Sequence, residues 1–265
     1  MASLVHKALI LARDRQDVGA RVLNKLNSWF DCFSSPCSLT NVGDSAEVDA
    51  CVARLFSPSH RPCIGSETLA LERHIEASRR KNPDGPFPPE GFHNGTVTLG
   101  RLCYLACRYL RPRLVLETGV AYGVTSAYIL AALAENDYGQ LYSIDLPPLA
   151  PDAASHVGYF VPTGLRSRWK LSLGPAQELL PELLEHTKLI DMFVHDSLHT
   201  YSHMKWEFET ALSALRPGGL LISDDIEGNR AFEEIIHRGD IHSWFAIRQQ
   251  RKDTLCGAIR TRRAE

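Results

Sequence analysis

The chain contains no run of about 18 apolar residues, which excludes an ordinary membrane-spanning helix. Its opening, MASLVHKALILARDRQD, is apolar only briefly before it becomes charged and lacks a small-residue cleavage site, so it reads as a helix of the mature protein and not as a signal peptide. A dominant charge sign is missing too. The 29 basic and 31 acidic residues leave a net charge of −2, which gives no field to draw in a polyanion, and neither a nucleic-acid nor a membrane partner is expected. The seven cysteines, Cys32, Cys37, Cys51, Cys63, Cys103, Cys107 and Cys256, are odd in number and irregularly spaced, as expected of reduced thiols in a cytoplasmic protein. Cys103 and Cys107 stand four apart on an expected helix, but no second pair with metal-ligand spacing accompanies them, which favours a core role over zinc. What is present, 44% hydrophobic and 23% charged residues over 265 positions, belongs to an ordinary globular chain: one large domain, or a domain with an appendage.

Two patterns divide near residue 95. Up to about Arg80 the spacing is helical, with Leu4, Ala8 and Leu11, then Val18, Val22, Leu26 and Phe30, then Val48, Cys51, Val52 and Leu55. Lys81 to Gly91, KNPDGPFPPEG, is too rich in proline and glycine for regular structure and reads as a linker or flap. Residues 1–95 are therefore expected to form an N-terminal helical cap ending in a Pro-rich flap. From about Val97, short apolar runs alternate with helical patterns, as in βαβ units on a parallel sheet. Strands are expected at Leu114–Leu116, Leu141–Ile144, Trp169–Leu173, Ile190–Val194 and Leu220–Ile222, with helices between them. The tail reads as an antiparallel hairpin around Arg251-Lys252-Asp253 that closes the sheet edge. The expected fold is α/β, a Rossmann-like, seven-stranded, mostly parallel sheet over 96–265.

Leu116-Glu117-Thr118-Gly119-Val120-Ala121-Tyr122-Gly123-Val124-Thr125-Ser126 joins a strand to a helix. Glycines there allow a tight turn and the approach of a ligand to the helix N-terminus. The Gly-Lys-Ser/Thr of a phosphate loop is absent, and the two glycines do not make the G-x-G-x-x-G of a dinucleotide fold. Glu117 before the first glycine, with Asp145 closing the next strand, suits a ligand carrying an amino group and a ribose. A purely structural strand–helix turn with a surface Asp is the competing reading.

Glu117-x-Gly119-x-x-x-Gly123-x-Thr125, Asp145 and the segment Gly174-Pro175-Ala176-Gln177-Glu178 resemble the S-adenosylmethionine sites of class I methyltransferases. Phe193-Val194-His195-Asp196-Ser197-Leu198-His199-Thr200-Tyr201, followed by Leu215-Arg216-Pro217-Gly218-Gly219 and Ser223-Asp224-Asp225, is similar to the small-molecule O-methyltransferase branch, which includes catechol-type and macrolide-sugar enzymes. The resemblance covers about Thr96 to Arg262. It implies that Glu117 holds the methionine ammonium, that Gly119 and Gly123 let the backbone pass close to the cofactor, and that Thr125 or Ser126 binds its carboxylate. It further implies Asp145 on the ribose, Ala176 and Gln177 at the adenine, and Gly95 and Thr96, after Asn94, at the methionine end. Asp196 is expected to border the cofactor as well.

Asp196 ends the fourth expected strand, and Asp224 and Asp225 end the fifth, so the three carboxylates converge above the crevice of a parallel sheet. They would repel one another unless protonated or bound to a cation, and all-oxygen ligation favours Mg²⁺. In the macrolide-sugar group the corresponding trio is likewise all Asp; in catechol-type enzymes it is Asp, Asp and Asn. His199 stands where the catechol-type enzymes carry a catalytic lysine, and is the candidate base for a substrate hydroxyl. His199, His203 and Glu207 at four-residue intervals offer an alternative transition-metal face, which His195, on a strand end, is not expected to share. His156, Tyr159 and Phe160 are candidates for the acceptor wall, and no role is assigned to Arg166, Arg168 and Trp169.

The expected activity is Mg²⁺-assisted, S-adenosylmethionine-dependent O-methylation of a small-molecule hydroxyl, on a secondary metabolite or sugar. Two alternatives are a fold-mate with another reaction, suggested by similarity to cephalosporin-hydroxylase-like proteins, and a cofactor-binding interaction protein. A homodimer through the N-terminal helices is expected.

Overall fold

The computed structural model describes residues 15–30, 36–39, 42–56, 63–81, 95–149, 152–250 and 253–263. Residues 1–14, most of the Pro-rich flap, Asn94, and Arg251 and Lys252 of the expected turn lie outside them. The helices are α1 Arg15–Phe30, α2 Val48–Phe56, α3 Ser66–Lys81, α4 Val97–Leu110, α5 Val124–Glu135, α6 Ala153–His156, α7 Ala176–Thr187, α8 Tyr201–Ala214 and α9 Ala231–Ile236. The strands are β1 Val42–Gly43, β2 Leu114–Thr118, β3 Gln140–Asp145, β4 Trp169–Leu173, β5 Ile190–His195, β6 Leu215–Ser223, β7 Ile241–Arg248 and β8 Leu255–Thr261.

The strands form one eight-stranded sheet in the order β1-β7-β8-β6-β5-β2-β3-β4. Strands β2 to β6 pair in parallel, and β8 inserts antiparallel between β6 and β7. The hairpin is present, but it is not the edge: β1, from a segment that reads as helical, pairs in parallel with β7 through Val42 and Gly43. Two residues carry no periodicity, so their strand state depends on the open edge of β7.

Helices cover both faces of the sheet, so the central strands are apolar on both sides; all of Leu114–Thr118 is buried. Alternation divides them between two cores. Val115, Val194 and Ile222 pack under α4 and α5, with Val48, Val52 and Leu55 of α2 and Leu71 and Ile75 of α3 in the same cluster. Leu116, Phe193 and Leu221 face Met204 and Phe208 of α8 and Phe232 of α9. Helices α2 and α3 therefore share their core with the sheet. On α1, by contrast, Val22 and Leu26 of the expected apolar stripe are exposed, as is Leu23. The described cysteines, Cys37, Cys51, Cys63, Cys103, Cys107 and Cys256, are all free thiols. Cys103 and Cys107 are buried in the first core, with Cys107 Sγ 3.8 Å from Met192 Sδ. Among the described residues, no helix is long and apolar enough to cross a membrane.

Helix α4 starts where the Thr96 hydroxyl accepts the Leu99 N–H and stops at Arg111, whose left-handed backbone returns its N–H to the Cys107 carbonyl. It approaches α5 at Gly100, where a Cβ would lie 2.3 Å from the Tyr128 ring. Gly100→Ala should therefore destabilise the chain by about 1–3 kcal/mol through overpacking, read as a lower denaturant midpoint with an unchanged m-value.

Candidate cofactor and metal site

The sheet changes direction between β2 and β5, and the crevice at their carboxyl ends is where ligands bind in open α/β sheets. Glu117, in β2, is fully buried there. The Ser126 and Ser143 hydroxyls donate to its Oε2 at 2.7 and 2.6 Å, whereas its buried Oε1 has no hydrogen-bond partner. Desolvation pushes its carboxyl up to about 7, the two hydroxyls opposing the rise and Asp145 adding to it. A buried carboxylate oxygen without a donor fits an incoming ammonium, the group assigned to Glu117 from the sequence. Ser126 supports Glu117 directly.

The turn after β2 has the shape that its glycines suggest. Gly119 has φ +83°, and a Cβ there would come within 1.9 Å of the Asp196 carbonyl oxygen; Gly123 has φ +80° and faces Gly158 and Val161. Between them, Ala121 holds a left-handed φ of 48°. Asp145 stabilises this conformation: its Oδ2 accepts the Val120 and Ala121 N–H groups at 3.1 and 2.6 Å. Burial raises the Asp145 carboxyl above its ordinary value, opposed by those two amides. Asp145 thus shapes the turn while standing at the end of β3, where a ribose would lie. Gly123 caps α5 without a side-chain bond, leaving the first-turn amides available to a carboxylate.

Asp196 follows β5, its N–H bonded to the Thr118 carbonyl, and Asp224 follows β6, its N–H bonded to the His195 carbonyl. Thr125 Oγ1 lies 3.4 Å from Asp196 Oδ2, and Gly95 packs so closely on this pair that a Cβ would meet Thr125 Oγ1 at 2.3 Å. Donor atoms of Asp196, His199 and Asp224 all lie within 4.8 Å of one another, a spacing that can enclose a divalent cation. Asp225 stands outside this group. Its left-handed φ of 46° separates consecutive carboxylates, and its Oδ2 lies 3.7 Å from His199 Nδ1. The two carboxylates suit Mg²⁺ or Mn²⁺, and the imidazole beside them is close enough to take a proton from a hydroxyl brought to such a cation. Buried Asp224 is held by Gln249, whose Nε2 donates to Asp224 Oδ1 at 2.6 Å and whose Oε1 accepts the Thr96 hydroxyl. Thr96 is thus a helix cap joined to Asp224 through Gln249, and no local pattern singled out Gln249.

At the far end of the crevice, Ala176 is the first residue of α7, and Gln177 Nε2 donates to Asn24 of α1 at 2.9 Å and faces His203 Nδ1 at 3.2 Å. Gln177 Oε1 is buried without a partner and fits an amino group such as that of adenine. Behind the crevice, Glu207 is fully buried, with Thr118 Oγ1 and His195 Nδ1 on its Oε2 at 2.5 and 2.6 Å, and Ser197 Oγ and His203 Nε2 on its Oε1 at 3.1 and 2.9 Å. Burial alone would raise the Glu207 carboxyl, but the two histidines outweigh it and hold it well below the ordinary value. The structure corrects the helical-face alternative. His199 precedes α8, which starts at Tyr201, and it is His195, from the end of β5, that joins His203 on Glu207.

Of the proposed acceptor wall, Phe160 is buried in the first core, His156 is half-buried and Tyr159 is exposed. Tyr201 packs through its hydroxyl, which donates to Glu234 at 3.0 Å. Arg168 pairs with Asp137 at 2.6 Å, a contact away from the crevice.

The family described as "Methyltransferase domain" matches residues 116–226, the span that holds the glycine turn and both aspartates of the candidate metal site. No curated protein matches the sequence. Among solved structures, an O-methyltransferase from Bacillus cereus in complex with S-adenosylhomocysteine (SAH) is 19% identical with a TM-score of 0.57, covering 81% of this chain and 97% of its own. An O-methyltransferase from Streptomyces achromogenes, involved in tomaymycin synthesis and bound to S-adenosylmethionine, is 19% identical with a TM-score of 0.55, covering 83% of this chain and all of its own. An SAH-bound methyltransferase from Podospora anserina is 15% identical with a TM-score of 0.54, covering 86% and 100%.

Because the Glu117 carboxyl rises from 4.5 to about 7 on folding, the folded chain retains a proton that the unfolded chain has released. Its contribution to stability therefore falls as pH rises through that window. Glu207 acts in the opposite sense and only at lower pH, because its folded value lies below the ordinary one. The thermal midpoint of the ligand-free protein should decline between about pH 5 and 7.5, and Glu117→Gln, neutral throughout, should flatten that decline. Parallel profiles would show that Glu117 is not the group responsible.

Proposed function

We propose that this class I S-adenosylmethionine-dependent methyltransferase transfers its methyl group to a hydroxyl oxygen of a small metabolite, a secondary metabolite or sugar, with a divalent cation, Mg²⁺ foremost, at the acceptor. The observation that carries this reading is the meeting of Asp196, Asp224 and His199 within 4.8 Å, across Gly119 from a buried Glu117 with one unpartnered oxygen. The order of these residues along the matched domain and the O-methyltransferases among the similar structures support it.

Bound S-adenosylmethionine supplies an electrophilic methyl carbon on a sulfonium sulfur, and a bound cation supplies the positive charge that favours an ionised hydroxyl. Glu117 orients the ammonium of the methionine end, and Gly119 admits it where any side chain would collide with Asp196. Asp145 takes the ribose and Gln177 Oε1 the adenine amino group. Asp196 and Asp224 hold the cation, Gln249 fixing the rotamer of the latter. His199 takes the hydroxyl proton, and Asp225 Oδ2, 3.7 Å from its Nδ1, stabilises the imidazolium that results. S-adenosylmethionine held by Glu117, Asp145 and Gln177 would supply the methyl group to the hydroxyl oxygen and leave as SAH.

Calorimetry with SAH and transfer of labelled methyl from S-adenosylmethionine to a panel of catechol and sugar hydroxyls test this reading. Binding of SAH, loss of transfer on chelation and its recovery with Mg²⁺ or Mn²⁺ are expected; absence of SAH binding would overturn it. His199→Gln should lower kcat by roughly 10²-fold or more while leaving the SAH Kd unchanged. Full turnover in that variant would remove the histidine from proton transfer. The exposed Val22, Leu23 and Leu26 of α1 support a homodimer through the N-terminal helices. Sedimentation should show a dimer that becomes a monomer in Val22→Glu/Leu26→Glu.

A further inference from the structure

Trp169, the first residue of β4, lies with its indole Nε1 2.9 Å from Ser143 Oγ, which lies in turn 2.6 Å from Glu117 Oε2. An indole N–H can only donate, so it occupies a lone pair of the Ser143 oxygen and leaves the single hydroxyl proton for Glu117. With Ser126 the other donor to Oε2, the carboxylate is held in one rotamer, its buried second oxygen left without a hydrogen-bond partner.

The indole is itself held. Gly158 lies against its ring so closely that a Cβ would approach Cη2 to 2.1 Å, and the Arg166 guanidinium stands 5.4 Å from the ring centroid. Arg166 donates to the Gly158 and Val161 carbonyls at 2.8 and 3.2 Å. The same segment grips the glycine turn, the Gly158 N–H bonding the Ala121 carbonyl and the Phe160 N–H that of Tyr122. One connection thus reaches both the backbone that would cradle the cofactor and, through Trp169, the carboxylate that would bind its ammonium.

The geometry points to Trp169 as a positioning residue for the methionine end of the cofactor, acting through the Ser143 hydroxyl on Glu117. This rests on the reading of the crevice as an S-adenosylmethionine site. It is tested on the 265-residue chain by Trp169→Phe, which keeps a ring and removes the N–H, by Ser143→Ala, and by the double variant. Each single variant should raise the SAH Kd roughly tenfold and raise the KM for S-adenosylmethionine more than it lowers kcat. The double variant should be no worse than Ser143→Ala alone, because both substitutions break one relay. Additive losses, or a Trp169→Phe protein with unchanged Kd and KM, would overturn the relay. If Trp169→Phe does not fold, Ser143→Ala alone decides: a raised KM with a shifted indole N–H proton resonance supports the relay, and a KM like that of the unmodified protein overturns it. Failure of the unmodified protein to bind SAH would overturn the cofactor reading and this proposal together, whereas SAH binding with additive variants overturns this proposal alone.

Discussion

A carboxylate with no exposed surface survives inside a sheet only if donors surround it, and Glu117 imposes that condition on everything around the crevice. Ser143 must lie beside it on β3 and Ser126 must reach it from the first turn of α5, so the strand register and the helix start are fixed together. The turn between them has to reverse within a few residues, which places Gly119 against Asp196 and Ala121 in a left-handed conformation. Asp145 offsets part of the cost of that turn by accepting two of its amides. The crevice is therefore shaped before any ligand arrives, and the oxygen left over on Glu117 is the feature that a ligand would complete.

Glu207 solves the same problem in the opposite way. All of its acceptor capacity is met by Thr118, Ser197, His195 and His203, so nothing is left for a ligand. Its product is rigidity, because it ties the ends of β2 and β5 to α8 directly behind Asp196 and His199. Through His203 and Gln177 the network extends to Asn24 on α1, so the N-terminal helix is coupled to the start of α7 at the crevice. Two buried acids a short distance apart thus have distinct parts, one completing its hydrogen bonds within the protein and the other awaiting a partner.

The α/β alternation was legible because the buried parallel strands are short apolar runs between helical periods, and Trp169–Leu173 is a strand with the limits read from the sequence. The glycine turn and the acidic strand ends were legible because each is local: a residue type at a strand terminus. What escaped depends on distance. The pairing of His195 with Glu207 joins a strand end to a helix face, and helical spacing alone wrongly grouped His199 with that face. Gln249 carries no motif, and its contacts with Asp224 and Thr96 reach 25 and 153 residues back along the chain. An Asp-Asp pair does not reveal that Asp225 adopts a left-handed backbone with its Oδ2 3.7 Å from His199 Nδ1. Strand β1 owes its state to the edge that it meets.

That small strand has a consequence for how the chain can be divided. Val42 and Gly43 occupy the hydrogen-bonding groups of β7 that would otherwise face solvent, and the buried face of α2 follows directly behind them. A fragment starting at residue 95 would retain the whole recognisable cofactor crevice and still expose a ladder of unsatisfied amides and carbonyls beside a stripped apolar surface, a template for intermolecular strand addition. The segment that shows no motif thus keeps the β7 edge from adding a strand of another chain.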